Sequence, residues 1–208
     1  MFTGIVQGVA TLARVEEAPG LRRLALRCPA GFTDGLQVGA SVAVDGCCLT
    51  VTAVDGDVAR FDVMQQTLSL TTLGGLADGG RVNVERSFAA GAEVGGHILS
   101  GHVDFRATLA ELRTPENNRV LRFDVPAPWM RYVFAKGFIA VNGASLTVAE
   151  ARRETDGSGS FDVWLIPETL RMTTFGDKAP GDAVHIEIDR QTQVIVDTVE
   201  RILAERLR

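Results

Sequence analysis

Short apolar runs that alternate with polar residues, cut by Gly and by Asp-Gly, divide this chain into β-type segments. One set comprises Leu21–Arg27, Ser41–Val44, Leu49–Val54, Val58–Met64 and Arg81–Glu85. A second comprises Leu121–Val125, Phe138–Val141, Leu146–Ala151, Phe161–Leu165 and Ala183–Ile188. Asp55-Gly56, between two runs, predicts a tight hairpin. Many short strands at regular spacing predict small antiparallel barrels and an all-β fold. Pro29-Ala30-Gly31 and Pro126-Ala127-Pro128 each predict the opening of a short helix, because the fixed φ of Pro suits the first turn. Thr67–Thr72 and Thr169–Thr174 predict one further helical turn in each set. From Asp189 to Arg208 the apolar residues Ile195, Val196, Val199, Ile202, Leu203 and Leu207 fall at helical spacing behind a candidate N-cap, Asp189. An isolated helix of that length needs a partner, which is either the chain's own barrels or other copies of the tail.

The two sets are copies of one another. GASVAVDGCCLTVTAV (39–54) returns as KGFIAVNGASLTVAEA (136–151), and FTGIVQGVATL (2–12) returns as LSGHVDFRATL (99–109), both at an offset of 97. FDVMQQTLSLTTLGG (61–75) returns as VWLIPETLRMTTFGD (163–177) at an offset of 102, the extra residues falling in the loop at Thr155–Gly159. The predicted organisation is two tandem barrels, 1–97 and 98–188, joined through the Gly-rich segment 89–96, with a terminal helix over 189–208. A duplicated domain implies two similar sites and two similar ligands used together.

Composition narrows the function classes. A net charge of −5 without a basic block argues against a nucleic-acid surface. No apolar run reaches ~18 residues, so no membrane span is expected, and Met1-Phe2-Thr3-Gly4 shows no signal-peptide pattern. Three cysteines, Cys28, Cys47 and Cys48, make no disulfide framework, and a reducing cytoplasm is the expected location. His97, His102 and His185 lack metal-ligand spacing with the cysteines, so no metal site is expected.

Alternation then separates two faces of each repeated strand. Cys47, Leu49 and Val51, matched by Ala144, Leu146 and Val148, are apolar and face the core. Cys48 and Thr50, matched by Ser145 and Thr147, put small hydrogen-bonding groups on the opposite face. A ligand site is therefore expected on the outside of each barrel, covered by another domain. Gly4 and Gly101 recur, which fits a close backbone approach to a ligand or a tight bend. His102 occupies the place of Ile5 and is the candidate proton-transfer group, ahead of His97. His185 replaces Asn83 near a strand end and reads as solvated. Lys136 has no charged counterpart at Gly39 and reads as a surface lysine.

MFTGIV, GCCLTV, GGHILSGHVD, ASLTV, LIPETL and DTVER, in this order over essentially the whole chain, resemble the riboflavin synthase family. The resemblance implies two six-stranded Greek-key barrels and a C-terminal helix joining three chains. It also implies dismutation of two molecules of 6,7-dimethyl-8-ribityllumazine into riboflavin and 5-amino-6-ribitylaminouracil, with no metal or redox cofactor. By resemblance the N-terminal site uses Gly4, Ile5, Val6, Cys48, Leu49, Thr50 and the run Asp62, Val63, Met64, Gln65, Gln66 and Thr67. The C-terminal site uses Gly101, His102, Val103, Ser145, Leu146, Thr147 and the run Trp164, Leu165, Ile166, Pro167, Glu168 and Thr169, with Lys136 reaching across an interface between chains. His102 is the candidate base, Cys48 and Ser145 are candidate nucleophiles, and Thr50 and Thr147 orient them. Gln66 stands where Glu is expected in many relatives, and Asn142 where some carry Asp. A non-enzymatic lumazine or flavin antenna protein shares the implied fold but needs only one good site. A single flavin-binding barrel of a reductase does not account for the duplication.

Overall fold

A computed structural model describes residues 1–207; Arg208, the last residue of the tail reading, lies outside the described residues. The first copy forms β1 (Gly8–Ala18), β2 (Leu21–Arg27), β3 (Ser41–Val44), β4 (Cys47–Asp55) and β5 (Val58–Met64). Helix α1 (Gln65–Leu70), a 3-10 turn (Thr72–Gly75) and β6 (Arg81–Arg86) follow. These strands close an antiparallel barrel in the order β1-β2-β5-β4-β3-β6, a Greek-key path in which β6 returns between β1 and β3.

The second copy forms β7 (Phe105–Arg113), β8 (Arg119–Val125), α2 (Ala127–Met130), β9 (Phe138–Val141), β10 (Ala144–Thr147), β11 (Glu150–Arg153) and β12 (Gly159–Leu165). Helix α3 (Pro167–Met172), a second 3-10 turn (Thr174–Asp177) and β13 (Ala183–Ile188) complete it, and α4 (Arg190–Arg206) ends the chain. Its strands make a curled sheet in the order β10-β9-β13-β7-β8-β12-β11, whose two outer strands are consecutive in sequence. The expected single strand Leu146–Ala151 is thus cut in two. The first copy shows why: β4 slips register between Val51 and Ala53, leaving Thr52 bulged, and the equivalent place in the second copy opens into a break.

Each barrel encloses its own core. Leu12, Leu24, Val42, Phe61 and Val82 fill the first, and Leu109, Phe123, Val141, Phe161 and Ile186 the second. Burying each large apolar side chain contributes about 1.5–3 kcal/mol. The strands β1 and β7, recognised from sequence only as repeats, complete the expected six. The helix expected at Pro29 does not form. Carbonyls of Pro29 and Gly31 accept from Phe32 and Asp34 in successive turns, because Gly31 (φ +78°) and Gly35 (φ +65°) take left-handed conformations that end a helix. The counterpart α2 has no interior Gly and forms behind Pro126. Helix α1 starts two residues earlier than expected, as does α3.

The tail stripe divides. Asp189 caps α4 by accepting from the N–H groups of Gln191 and Thr192. Val196 packs on the second core, while Ile195, Val199, Ile202 and Leu203 lie exposed. Arg131 pairs with Asp197 and Glu200, and the Tyr132 hydroxyl donates to Asp197 at 2.6 Å, so α4 is docked on its own barrel with its apolar edge outward. Among the described residues no helix is long and apolar enough to cross a membrane.

Candidate functional site

The face assignment from alternation holds in both copies. Cys47, Leu49 and Val51 lie in the first core, and Ala144 and Val148 in the second, with Leu146 packed against it. Cys48 and Ser145 sit half-buried on the outer face, and Thr50 and Thr147 are exposed beside them. Burial raises the Cys47 thiol to about 12, with Cys48, Asp45 and Glu187 adding to the effect, so Cys47 stays a neutral core side chain.

What covers each outer face corrects the expected grouping. The segment Phe2–Val6 crosses to the second barrel: the Ser145 N–H donates to the Gly4 carbonyl at 2.8 Å, and Val6 belongs to the second core. In return the Cys48 N–H donates to the Gly101 carbonyl at 2.8 Å, and Val103 belongs to the first core. Gly4, Ile5 and Val6 therefore join Ser145, Leu146 and Thr147, not Cys48. Gly101, His102 and Val103 join Cys48, Leu49 and Thr50. The recurring glycines are explained by this crossing, and the close approach they allow is to protein. A Cβ on Gly4 would lie 2.5 Å from the Ser145 Cβ, and one on Gly101 2.6 Å from the Cys48 Cβ; both have positive φ.

Two carboxylates hold the crossing strands. Glu85 accepts from Thr3 N–H (2.6 Å), the Thr3 hydroxyl (2.8 Å) and Gly4 N–H (3.0 Å). Glu187 accepts the equivalent bonds from Ser100 N–H (2.7 Å), the Ser100 hydroxyl (2.6 Å) and Gly101 N–H (3.0 Å). Burial raises the Glu85 carboxyl, against the pull of these bonds. Between the crossings, Phe2 and Leu99 exchange paired backbone bonds of 2.9 Å and pack with Ala43 and Ala140.

On the second barrel the result is a cavity of about 290 Å³ bordered by Gly4, Ile5, Ser145, Leu146, Glu168 and Met172. Its long wall is apolar, and Ser145, Glu168 and Thr169 supply polar edges. Met172, absent from the sequence expectation, was marked by the repeat as the counterpart of Leu70. Glu168 is held below its usual carboxylate range by the Arg171 guanidinium, three residues on. The first copy has Gln66 and Ser69 there, both exposed and uncharged. Several predicted residues reach the outer faces only through their backbones: Val6, Leu49, Val63, Val103 and Leu165 bury their side chains in the cores. Asp62, Met64, Gln65 and Gln66 line the exposed end of β5 and α1 with Thr67, as Trp164, Ile166 and Pro167 line the end of β12 and α3.

The histidines redistribute as well. His97, just after the linker segment, is buried, and its Nδ1 shares a 2.6 Å hydrogen bond with the Ser145 hydroxyl. Its ring stacks on Phe138 at 5.1 Å, and its Nε2 is buried without a partner. Burial holds its pKa below the ordinary histidine value, so near neutrality it is an unprotonated ring, an acceptor for a hydroxyl proton. His102 is exposed on the Cys48 side, its carbonyl accepting from Arg190 at 3.0 Å. His185, expected in solvent, is buried between the barrels. Asn142, where a carboxylate was in question, is buried too, and its Oδ1 accepts from the His185 N–H at 2.7 Å, a structural bond.

Lys136 takes φ +68° in the turn where its counterpart Gly39 takes +89°. A non-Gly residue held there costs roughly 1–3 kcal/mol. The lysine is exposed and keeps that cost, which Gly39 avoids in the first copy.

Comparison with known proteins agrees with this doubled architecture. A lumazine binding domain model matches residues 3–87 and again residues 100–189. The chain is 50% identical to riboflavin synthase of Escherichia coli (strain K12), over 99% of this chain and 95% of that one. It is 42% identical to riboflavin synthase of Chlamydia pneumoniae, over 98% of each. Among solved structures, LumP complexed with 6,7-dimethyl-8-(1'-D-ribityl) lumazine superposes with a TM-score of 0.79, and LumP complexed with riboflavin with 0.80. Both are 25% identical and cover 91% of this chain and all of LumP. Two matched repeats and full-length identity of this order place the chain in the riboflavin synthase family.

Proposed function

We propose that the chain dismutates 6,7-dimethyl-8-ribityllumazine, one molecule giving a four-carbon unit to another to yield riboflavin and 5-amino-6-ribitylaminouracil. The observation that carries this is the pair of equivalent outer surfaces, each made from the Cys/Ser-x-Thr strand of one barrel and the Gly segment of the other. A dismutation needs two like substrates held against each other, and binding them so removes the entropic cost of a bimolecular encounter. An antenna protein needs one surface, which leaves the second copy of the repeat free to drift, and here that copy has kept Ser145, Thr147, Gly101 and LIPETL.

Proton transfer begins at the C7 methyl of the donor, whose anion delocalises into the ring; His102, exposed next to the Gly101 that pairs with Cys48, is our candidate to accept that proton. The acceptor ring takes an oxygen or sulfur nucleophile at C7. Ser145 is best equipped for this role, because His97 can receive its hydroxyl proton as the C–O bond forms. Cys48 is the alternative on the first barrel. Thr50 and Thr147 orient the rings, and the Lys136 side chain reaches a ligand on a neighbouring chain. The purified chain should convert the lumazine alone to riboflavin, two substrates per product, and keep that rate after exhaustive chelation. Tight binding without turnover would instead make it a binding protein like LumP.

The assembly that brings one barrel's surface onto another's is a homotrimer joined through the exposed edge of α4. Removing residues 190–208 should leave folded monomers of depressed activity. Sedimentation showing an unchanged oligomer after truncation would refute the trimer.

A further inference from the structure

We propose that His185 and Asn83 are crossed positioning residues: each stands on one barrel and holds the helical turn that borders the ligand surface of the other. The proposal rests on the reading that these surfaces bind the lumazine. Asn83 lies on β6 of the first barrel. Its Oδ1 accepts from the Thr174 N–H of the second barrel at 2.8 Å, and its Nδ2 donates to the Asn142 carbonyl at 3.0 Å. His185 lies on β13 of the second barrel. Its Nε2 takes the Thr72 N–H of the first barrel at 2.7 Å and lies 2.8 Å from the Thr72 hydroxyl, while its Nδ1 meets the Asp45 carbonyl at 2.8 Å. Both side chains are buried.

Hydrogen-bond accounting fixes the ring. Nδ1 faces a carbonyl and must carry the proton; Nε2 faces an N–H and must present a lone pair. His185 is therefore the neutral Nδ1–H form, an imidazole doing what the amide of Asn83 does in the mirror position. Thr72 and Thr174 open the 3-10 turns two residues beyond the ends of α1 and α3, the helices carrying Gln65–Thr67 and Pro167–Thr169. Neither helix buries a side chain of its own. Each is held in its own barrel by a part-buried leucine, Leu68 or Leu170, and by the residue after its anchor, Leu73 or Phe175, and is tied to the opposite barrel by the clamp. Substituting a clamp should therefore disturb the site on the barrel that does not carry the substitution, which a local packing role would not do.

Methionine methyl signals read the two surfaces separately, because Met64 ends β5 in the first barrel and Met172 lines the cavity of the second. With riboflavin as the probe, His185→Ala should weaken binding seen at Met64 by about tenfold, the worth of one or two lost hydrogen bonds, and spare binding seen at Met172. Asn83→Ala should do the reverse, and His185→Asn should restore binding because Asn83 already performs the role. Amide hydrogen exchange without ligand reads the clamps directly: His185→Ala should speed exchange at Thr72 and not at Thr174. Losses on the substituted barrel itself, equal losses at both sites, a His185→Asn variant as weak as His185→Ala, or unchanged exchange at Thr72 would each overturn the proposal. Clamps intact by exchange while riboflavin moves neither methyl would instead sink the binding reading.

Discussion

The Cys48 surface of the first barrel and the Ser145 surface of the second are built by one rule and equipped differently. Each is a strand edge roofed by the other copy's Gly segment, and each roof is pinned by a buried glutamate, Glu85 or Glu187. On the second, His97 at the end of the linker joins the serine, Glu168 and Arg171 add a charged edge, and Lys136 stands where the first has Gly39. On the first, a thiol replaces the hydroxyl and Gln66 replaces the carboxylate. Duplication supplied two equivalent outer surfaces, and differences at a few outward positions make them unequal, so the donor and acceptor of the proposed dismutation would meet different surroundings.

The sharpest way to break this comparison is to fill the roof contacts. Gly4→Ala must add a Cβ 2.5 Å from the Ser145 Cβ, and Gly101→Ala one 2.6 Å from the Cys48 Cβ. Gly20 is the control: its φ of +75° carries the same left-handed cost, but nothing lies within 4 Å. Gly20→Ala should lose about 1–2 kcal/mol. The other two should lose a further ~1–3 kcal/mol from overpacking, and ligand affinity on the roofed barrel with it. Chemical denaturation of the three variants checks this. A Gly4→Ala variant no less stable than Gly20→Ala would mean that the crossing in the structure is not the one in solution.

The crossing is also what the sequence conceals. Inward and outward faces were legible because pleating is local: knowing that Leu49 and Val51 are apolar assigns Cys48 to the opposite face. Strand limits such as Leu21–Arg27 and Ser41–Val44 followed from the same alternation. Pairing Ser145 with Gly4 is a contact across most of the chain, and no periodicity encodes it. The recurrence of Gly4 and Gly101 was the available trace, and it was compatible with a ligand instead. His97 ranked below His102 because it lies outside the aligned segments, so the repeat gave it no counterpart. His185 read as solvated because imidazole is polar; that it mimics a buried amide is apparent only when Asn83 is seen making the same bonds.

A second test acts on the copies' unequal central pairs, Asp45 with Asn83 and Asn142 with His185. Burial raises Asp45 to about 7 and lowers His185 to about 4. Between about pH 4 and the ordinary histidine value of 6.5, the folded pair holds its proton on Asp45, and the unfolded pair holds it on the histidine. The proton counts match, so the pair contributes no slope of stability with pH in that window. Taken singly, the Asp45 contribution is complete below its unfolded value and is lost as pH rises toward 7; that of His185 is complete above 6.5 and is lost as pH falls toward 4. The charges of Lys178 and Arg106 add to the lowering of His185, and the raised thiol of Cys47, beside Asp45, stays neutral. Asp45→Asn should therefore make the protein lose stability on acidification across the window, and His185→Asn on alkalinisation. Each slope should approach 1.4 kcal/mol per pH unit, about the linkage of one proton. Urea midpoints measured across the window decide it; parallel curves for both variants would remove the proton exchange.

The smallest expected effect discriminates most finely between a lysine that serves the ligand and one that merely occupies a turn. Lys136 holds φ +68°, its N–H donating to the Val148 carbonyl at 2.7 Å, as Gly39 donates to Val51 at 2.8 Å. The backbone of this turn is thus the same in both copies, and only the side chain differs. Lys136→Gly gives the second barrel the first barrel's turn and should relieve about 1 kcal/mol of left-handed strain, offset in part by the added freedom of the unfolded chain. If Lys136 reaches ligand across an interface between chains, the same variant should raise KM several-fold, with the unfolding midpoint unchanged or raised. Lys136→Asn, which tolerates the left-handed region but carries no charge, should share the KM loss. Stability gained with no change in KM would reduce Lys136 to an unfavourable turn residue, and the ligand contacts of the two barrels would then be more alike than their sequences.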